Sequence, residues 1–129
     1  MLSLPHARNH QRFSARRICS YLHKGKRFLT LTVNLGLGGM KIETGHYLQK
    51  DDLLDIQLIV DNKSIWLKGR AVYSHLLSGK QIVSGIQFVD ISEQDLSVLR
   101  EHLSALSKPR DMLSVRNGEN DTANALKKA

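Results

Sequence analysis

The chain is poor in several residue types, and each shortage excludes something. One cysteine, Cys19, stands among 129 residues, so no internal disulfide can form and nothing points to an oxidising compartment. Long apolar runs are also missing. The most apolar window, "LLDIQLIV" at 53–60, is broken by Asp55 and Gln57 and is far shorter than the ~20 residues a membrane helix needs. The opening "MLSLPHARNH" has few apolar residues before Pro5, and its charge follows them, the reverse of a secretory signal. The expectation is a cytoplasmic protein with no membrane insertion. Aromatics number only seven and form no cluster, which argues against the base-stacking strand of a nucleic-acid-binding barrel.

Acid is missing from one end. Residues 1–42 contain eight Lys or Arg and no Asp or Glu, whereas residues 43–129 contain eleven basic and twelve acidic side chains. The net charge of +7 therefore belongs to the first third of the chain. Two readings fit: an anionic partner held at that end, or a solvated basic arm that aids solubility.

From about residue 17 the pattern is one of short strands and turns. "RICSYLH" alternates, with Ile18, Ser20 and Leu22 on one face. "KGK" at 24–26 is a turn into "RFLTLTVN", whose period of two predicts Leu29, Leu31 and Val33 facing inward and Phe28, Thr30 and Thr32 facing out. "GMKIETG" and "LLDIQLIV" are the next two strands. "DNK" at 61–63 turns into a long strand over 64–76 that opens "SIWLK", where Gly69 marks a bulge, and "SGK" at 78–80 leads to "QIVSGIQFV". Six strands at this spacing predict an all-β antiparallel barrel or sandwich. The period then changes. "SEQDLSVLREHLSAL" carries Leu96, Leu99, Leu103 and Leu106 at helical spacing, with Ser92 as N-cap and Pro109 as stop. A helix over 92–107 is expected to pack on or beside the barrel. Residues 108–129 are mostly polar and are expected to form a disordered tail.

No catalytic constellation emerges. The six histidines are scattered; His6 and His10 are four apart, but in a polar arm beside a proline. Cys19 sits inside a strand and has no CxxC partner, as expected of a packed residue. "GLGG" at 36–39 is followed by neither Gly-Lys-Ser/Thr nor a helix, so it is neither a Walker loop nor a dinucleotide fingerprint. The protein is expected not to be an enzyme and to need no cofactor or metal.

Two short stretches resemble a known family. Arg12-Phe13-Ser14-Ala15-Arg16 matches an Arg-x-x-x-Arg segment, and Asn34-Leu35-Gly36-Leu37-Gly38-Gly39 matches Asp/Asn-x-Ser-x-x-Gly at Asn34 and Gly39, with glycine at 36 in place of the usual serine. In order, at this spacing, and followed by Gly69-Arg70-Ala71-Val72-Tyr73-Ser74 and "GIQFVDIS", they resemble the PilZ domain, a bacterial receptor module for cyclic di-GMP. The resemblance covers about residues 8–107. It implies a six-stranded antiparallel PilZ-like barrel over 17–107, helix included, preceded by a basic arm at 1–16. It also implies cyclic di-GMP as ligand and a downstream protein of the motility, pilus, exopolysaccharide or transcription machinery as partner.

By that resemblance Arg12 and Arg16 hold guanine and phosphate, while Asn34, Gly36 and Gly39 belong to the opposing barrel surface. Arg17 joins the ligand set, and Arg8, four before Arg12, offers an alternative register. The chemistry suits the ligand, because a guanidinium fork can pair with guanine O6 and N7 or with phosphate oxygens, and can stack on a base. Serine at 36 is expected to add a charge-assisted bond worth about 1.5–3 kcal/mol, so Gly36→Ser is expected to tighten binding without loss of stability. The arm is expected to be mobile until ligand binds. Two other readings stay open: a PilZ-like interaction module that binds no nucleotide, and a small nucleic-acid-binding barrel.

Overall fold

The computed structural model describes residues 11–107. The expectations for His6, His10 and Arg8 and for the tail at 108–129 lie outside those residues. The elements are β1 (Arg12–Ser14), β2 (Ile18–His23), β3 (Lys26–Gly36), β4 (Gly39–Glu43), β5 (Leu53–Val60), β6 (Lys63–Leu76), β7 (Ile82–Ile91) and α1 (Glu93–Ser107). All strand pairings are antiparallel. The sheet runs β3-β2-β5-β6-β7-β4 and closes through β3–β4, which makes a six-stranded barrel with one C-terminal helix.

Turn chemistry fixes the hairpins. Lys24 and Gly25 have φ of 52° and 80°, and Asp61 and Asn62 have φ of 51° and 62°. Two consecutive positive values form the tight loop whose twist matches the flanking strands. The register slips between Lys68 and Gly69, as the lone glycine in that strand implied. A Cβ at Gly69 would come within 2.5 Å of Ile86 Cγ2, so the glycine also allows close packing through the barrel core. Asp51, Gly45 and Gly79, not the glycines of "GLGG", supply the remaining positive-φ positions among the described residues.

The interior is filled by alternate residues: Leu54, Ile56, Leu58 and Val60 from β5, and Ile65, Leu67 and Ala71 from β6, with Met40, Ile42, Ile86 and Phe88. Leu96, Leu99 and Leu103 of α1 are buried, and the helix touches β6, β5 and β1. Ser92 caps it: Asp95 N–H donates to Ser92 Oγ at 3.1 Å.

Two expectations are corrected. The first concerns which face of β3 is inside. Leu29 and Leu31 are exposed, whereas Thr32 is fully buried and Phe28 packs against the core. Thr32 is tolerated there because its hydroxyl is satisfied, accepting from Arg17 N–H at 2.7 Å and donating to Ala15 C=O. Phe28 gains a stacked partner in Tyr21, 5.1 Å between centroids. The second concerns the arm. Residues 12–14 form strand β1, paired with Gly36, Leu35 and Asn34 of β3. β2 pairs with residues 26–31 of β3 and β1 continues along the same edge. Buried Ala15, held at the kink by Thr32, joins the two. The segment carrying Arg12 and Arg16 is therefore tied to β3 and is not a separate arm.

Candidate functional site

The site lies where β1 crosses the β3–β4 seam. Arg12 stands opposite Gly36 in the β1–β3 register. A Cβ built on Gly36 would lie 2.7 Å from the Gln11 carbonyl oxygen and 2.9 Å from Arg12 Cδ. Neither Gly36 nor Gly39 has positive φ, so Gly36 is required for space and not for backbone conformation. This corrects the expectation for Gly36→Ser: the space a serine would occupy is already filled by β1.

With no side chain beneath it, Arg12 reaches across β3. Its Nη1 donates to Asn34 Oδ1 at 3.1 Å, and the same oxygen accepts from Lys41 N–H at 3.1 Å. Asn34 thus ties β1, β3 and β4 together and fixes the guanidinium. Burial lowers the Arg12 pKa from its ordinary value, with Tyr73 acting in the opposite direction. Arg12 Nε is buried and has no hydrogen-bond partner among the described residues. A half-desolvated cation with an unused donor favours an anion brought against it.

Arg16 and Arg17 follow the anchored Ala15 and diverge. Arg16 Nη2 pairs with Glu43 Oε2 at 3.1 Å, and Gln81 Nε2 donates to the same oxygen at 3.0 Å. Arg17 turns away from Asn34: its Nε donates to His102 Nε2 on α1 at 3.0 Å. Accepting there leaves His102 Nδ1 as the N–H that donates to Asp61 Oδ1, 3.0 Å away. The structure therefore brings Arg12, Asn34 and Gly36 into one contact set, with Gly39 at the start of β4 and Arg16 bonded to the last residue of that strand. Arg17 is committed to the helix.

Sequence reading missed several neighbours. Lys41 and Glu43 share the outer face of β4 with Gly39, because Met40 and Ile42 point into the core; alternation alone could have identified them. Others follow only from register. Lys41 pairs with Gly85 and Gly85 with Tyr73, whose ring lies where a Cβ on Gly85 would be. Gly39 pairs with Gln87 and Gln87 with Arg70, whose Nη2 donates to Gln87 Oε1. The result is a surface paved by glycines, with Arg12 and Arg70 on strands β1 and β6.

The groups on this surface are suited to an anion and a flat ring. Arginine forks and an amide supply donors, and glycines permit flat approach. Cys19 offers no nucleophile: it is buried, and burial pushes its thiol up to about 12. Among the described residues no group of three His, Cys, Asp or Glu could hold a metal ion. Nor is any helix among them long and apolar enough to cross a membrane.

Comparison with known proteins gives a consistent result. The sequence profile of the PilZ domain matches residues 6–105. No curated protein sequence matches. Among solved structures, the Bacillus subtilis inhibitor of motility MotI/DgrA superposes with a TM-score of 0.69 at 15% identity, covering 78% of this chain and 52% of that one. YcgR from Escherichia coli, in complex with c-di-GMP, gives 0.66 at 16%, covering 78% and 46%. The K. pneumonia MrkH–c-di-GMP complex gives 0.66 at 20%, covering 75% and 50%. The chain thus spans about half the length of these three structural relatives.

Proposed function

We propose that this chain, which belongs to the PilZ domain family, is a cytoplasmic, non-enzymatic receptor for cyclic di-GMP that passes its ligand state to a partner protein. The carrying observation is the meeting of both motif segments on one surface: Arg12 rests on Gly36 and donates to Asn34. Complexes of YcgR and of MrkH with c-di-GMP, both sharing this fold, support the reading. Arg12 and Arg16 take phosphate and guanine, Asn34 and Gly39 form the barrel side, and Arg17 joins if it leaves His102. Gly36 acts by keeping the surface low under Arg12. Glu43 is an internal competitor that ligand phosphate must displace from Arg16.

Relatives described as an inhibitor of motility and a transcription regulatory factor show how varied the output of this fold is; the partner here is a protein of the motility, pilus, exopolysaccharide or transcription machinery. The direct experiment is calorimetric titration with cyclic di-GMP. Wild type should bind, and Arg12→Ala and Arg16→Ala should each lose about 1.5–3 kcal/mol, ten- to a hundredfold in affinity, with the barrel intact. No heat of binding in the wild type would leave an interaction module that takes no nucleotide. Unchanged affinity in both variants would reject the site.

A further inference from the structure

A second surface adjoins the first and meets it at the Arg16–Glu43 pair. On the outer face of β2 and β3, Ile18 is 53% exposed, Leu29 78% and Leu31 36%. Ile18 is the direct cross-strand partner of Leu31, and Leu29 is the next outward residue of β3. With Thr30 and Glu43 they line an open groove of about 400 Å³. Three branched apolar side chains grouped in water are costly to leave exposed, and such patches mark contact surfaces.

The charge around the groove identifies the occupant. Residues 11–42 carry seven Lys or Arg and no acid. Arg27 shares the outward face of β3 with Leu29 and Leu31, Lys24 and Lys26 lie at the adjoining hairpin, and Arg16 stands at the Glu43 end. Among the described residues Glu43 is the only carboxylate lining the groove, and Arg16 and Gln81 bond to it. The Asp55 carboxylate, on the strand beyond β2, is paired with Lys68 at 2.8 Å. A second copy of the chain would set one basic rim against another. The chain's own ends do not complement it either: residues 1–10 hold one Arg and no acid, and residues 108–129 hold five Lys or Arg against three Asp or Glu. Concavity and the carboxylate at its edge fit a side chain of a protein partner better than a flat anionic membrane.

We propose that the Ile18–Leu29–Leu31 groove docks an acidic amphipathic segment of another protein, its apolar side chain seated between the three residues and its carboxylates on the basic rim. This goes beyond nucleotide recognition and does not depend on it. The test uses the full chain, isotope-labelled, with two synthetic probes: an amphipathic peptide of Leu and Glu, and its Leu and Lys counterpart. The Leu/Glu peptide should bind and shift amide signals at residues 18 and 29–31, weaken with salt, and lose at least about tenfold in affinity in Leu29→Ser. Leu29 is largely exposed, so melting temperature should hold; Leu31→Thr is the second variant should it not. Equal binding of the Leu/Lys peptide, no binding of the Leu/Glu peptide, or unchanged affinity in both variants would overturn the proposal. So would Leu29-dependent binding to vesicles of equal phosphatidylglycerol and phosphatidylcholine without peptide binding, which would assign a membrane. Self-association abolished by Leu29→Ser would assign a second copy instead.

Discussion

A single methyl group at position 36 is enough to test how the site is built. Its Cβ would meet the Gln11 carbonyl and Arg12 Cδ at 2.7 and 2.9 Å, and the carbonyl is backbone that cannot rotate away. Overpacking of this kind costs about 1–3 kcal/mol. Gly36→Ser should therefore lower the melting temperature and weaken cyclic di-GMP binding, because Arg12 must lift from Asn34. Gly36→Ala carries the same Cβ without the hydroxyl and should lose as much. Tighter binding by the serine variant alone would show that the hydroxyl reaches a phosphate and that β1 yields readily. The motif at 34–39 was readable in the sequence, but the reason for its glycine was not. The residue that fills the space comes from a strand 24 positions earlier, and only the Arg12–Gly36 register reveals it.

At the level of elements, hairpins and helix were legible because their signals are local. Lys24-Gly25 and Asp61-Asn62 adopt the two-residue turns their residue types favour, and the leucine stripe from Leu96 to Leu103 is the buried face of α1. The face of β3 was not legible. Leucine and threonine alternate there, and hydropathy favours the leucines inside, but Thr32 is buried because Ala15 and Arg17 satisfy its hydroxyl. Likewise β1 is three residues long and has no periodicity of its own. His102 carries no local signal of its role; the fold buries it between Arg17 and Asp61. Replacing it separates two roles for Arg17. His102→Leu leaves Arg17 and Asp61 without their shared partner, and should cost about 1–3 kcal/mol of stability in a chemical melt. If Arg17 is a ligand residue, freeing it should also raise cyclic di-GMP affinity. Stability falling with affinity unchanged would assign Arg17 to the helix alone.

Across the whole molecule, Arg16 is where the two proposed surfaces meet. It borders the nucleotide surface through the anchored segment 12–17, and it neutralises Glu43 on the wall of the apolar groove. A phosphate that takes Arg16 removes one positive charge from the groove's rim and leaves Glu43 with Gln81 only. An acidic segment docked there then loses one surface ion pair, worth about 0.2–1 kcal/mol. Saturating cyclic di-GMP should accordingly weaken the Leu/Glu peptide by up to about fivefold. Linkage requires the peptide to weaken cyclic di-GMP by the same factor. In Glu43→Gln phosphate takes the same charge from the rim, so the coupling should persist, while cyclic di-GMP alone should bind more tightly because no carboxylate competes for Arg16. The measurement is a pair of titrations, each ligand in the presence and absence of the other, on wild type and variant. Equal affinities with and without nucleotide would mean that Arg16 keeps its bond to Glu43 when ligand arrives, and that the signal leaves the barrel by another route, of which the Arg17–His102 contact with α1 is the one the structure offers.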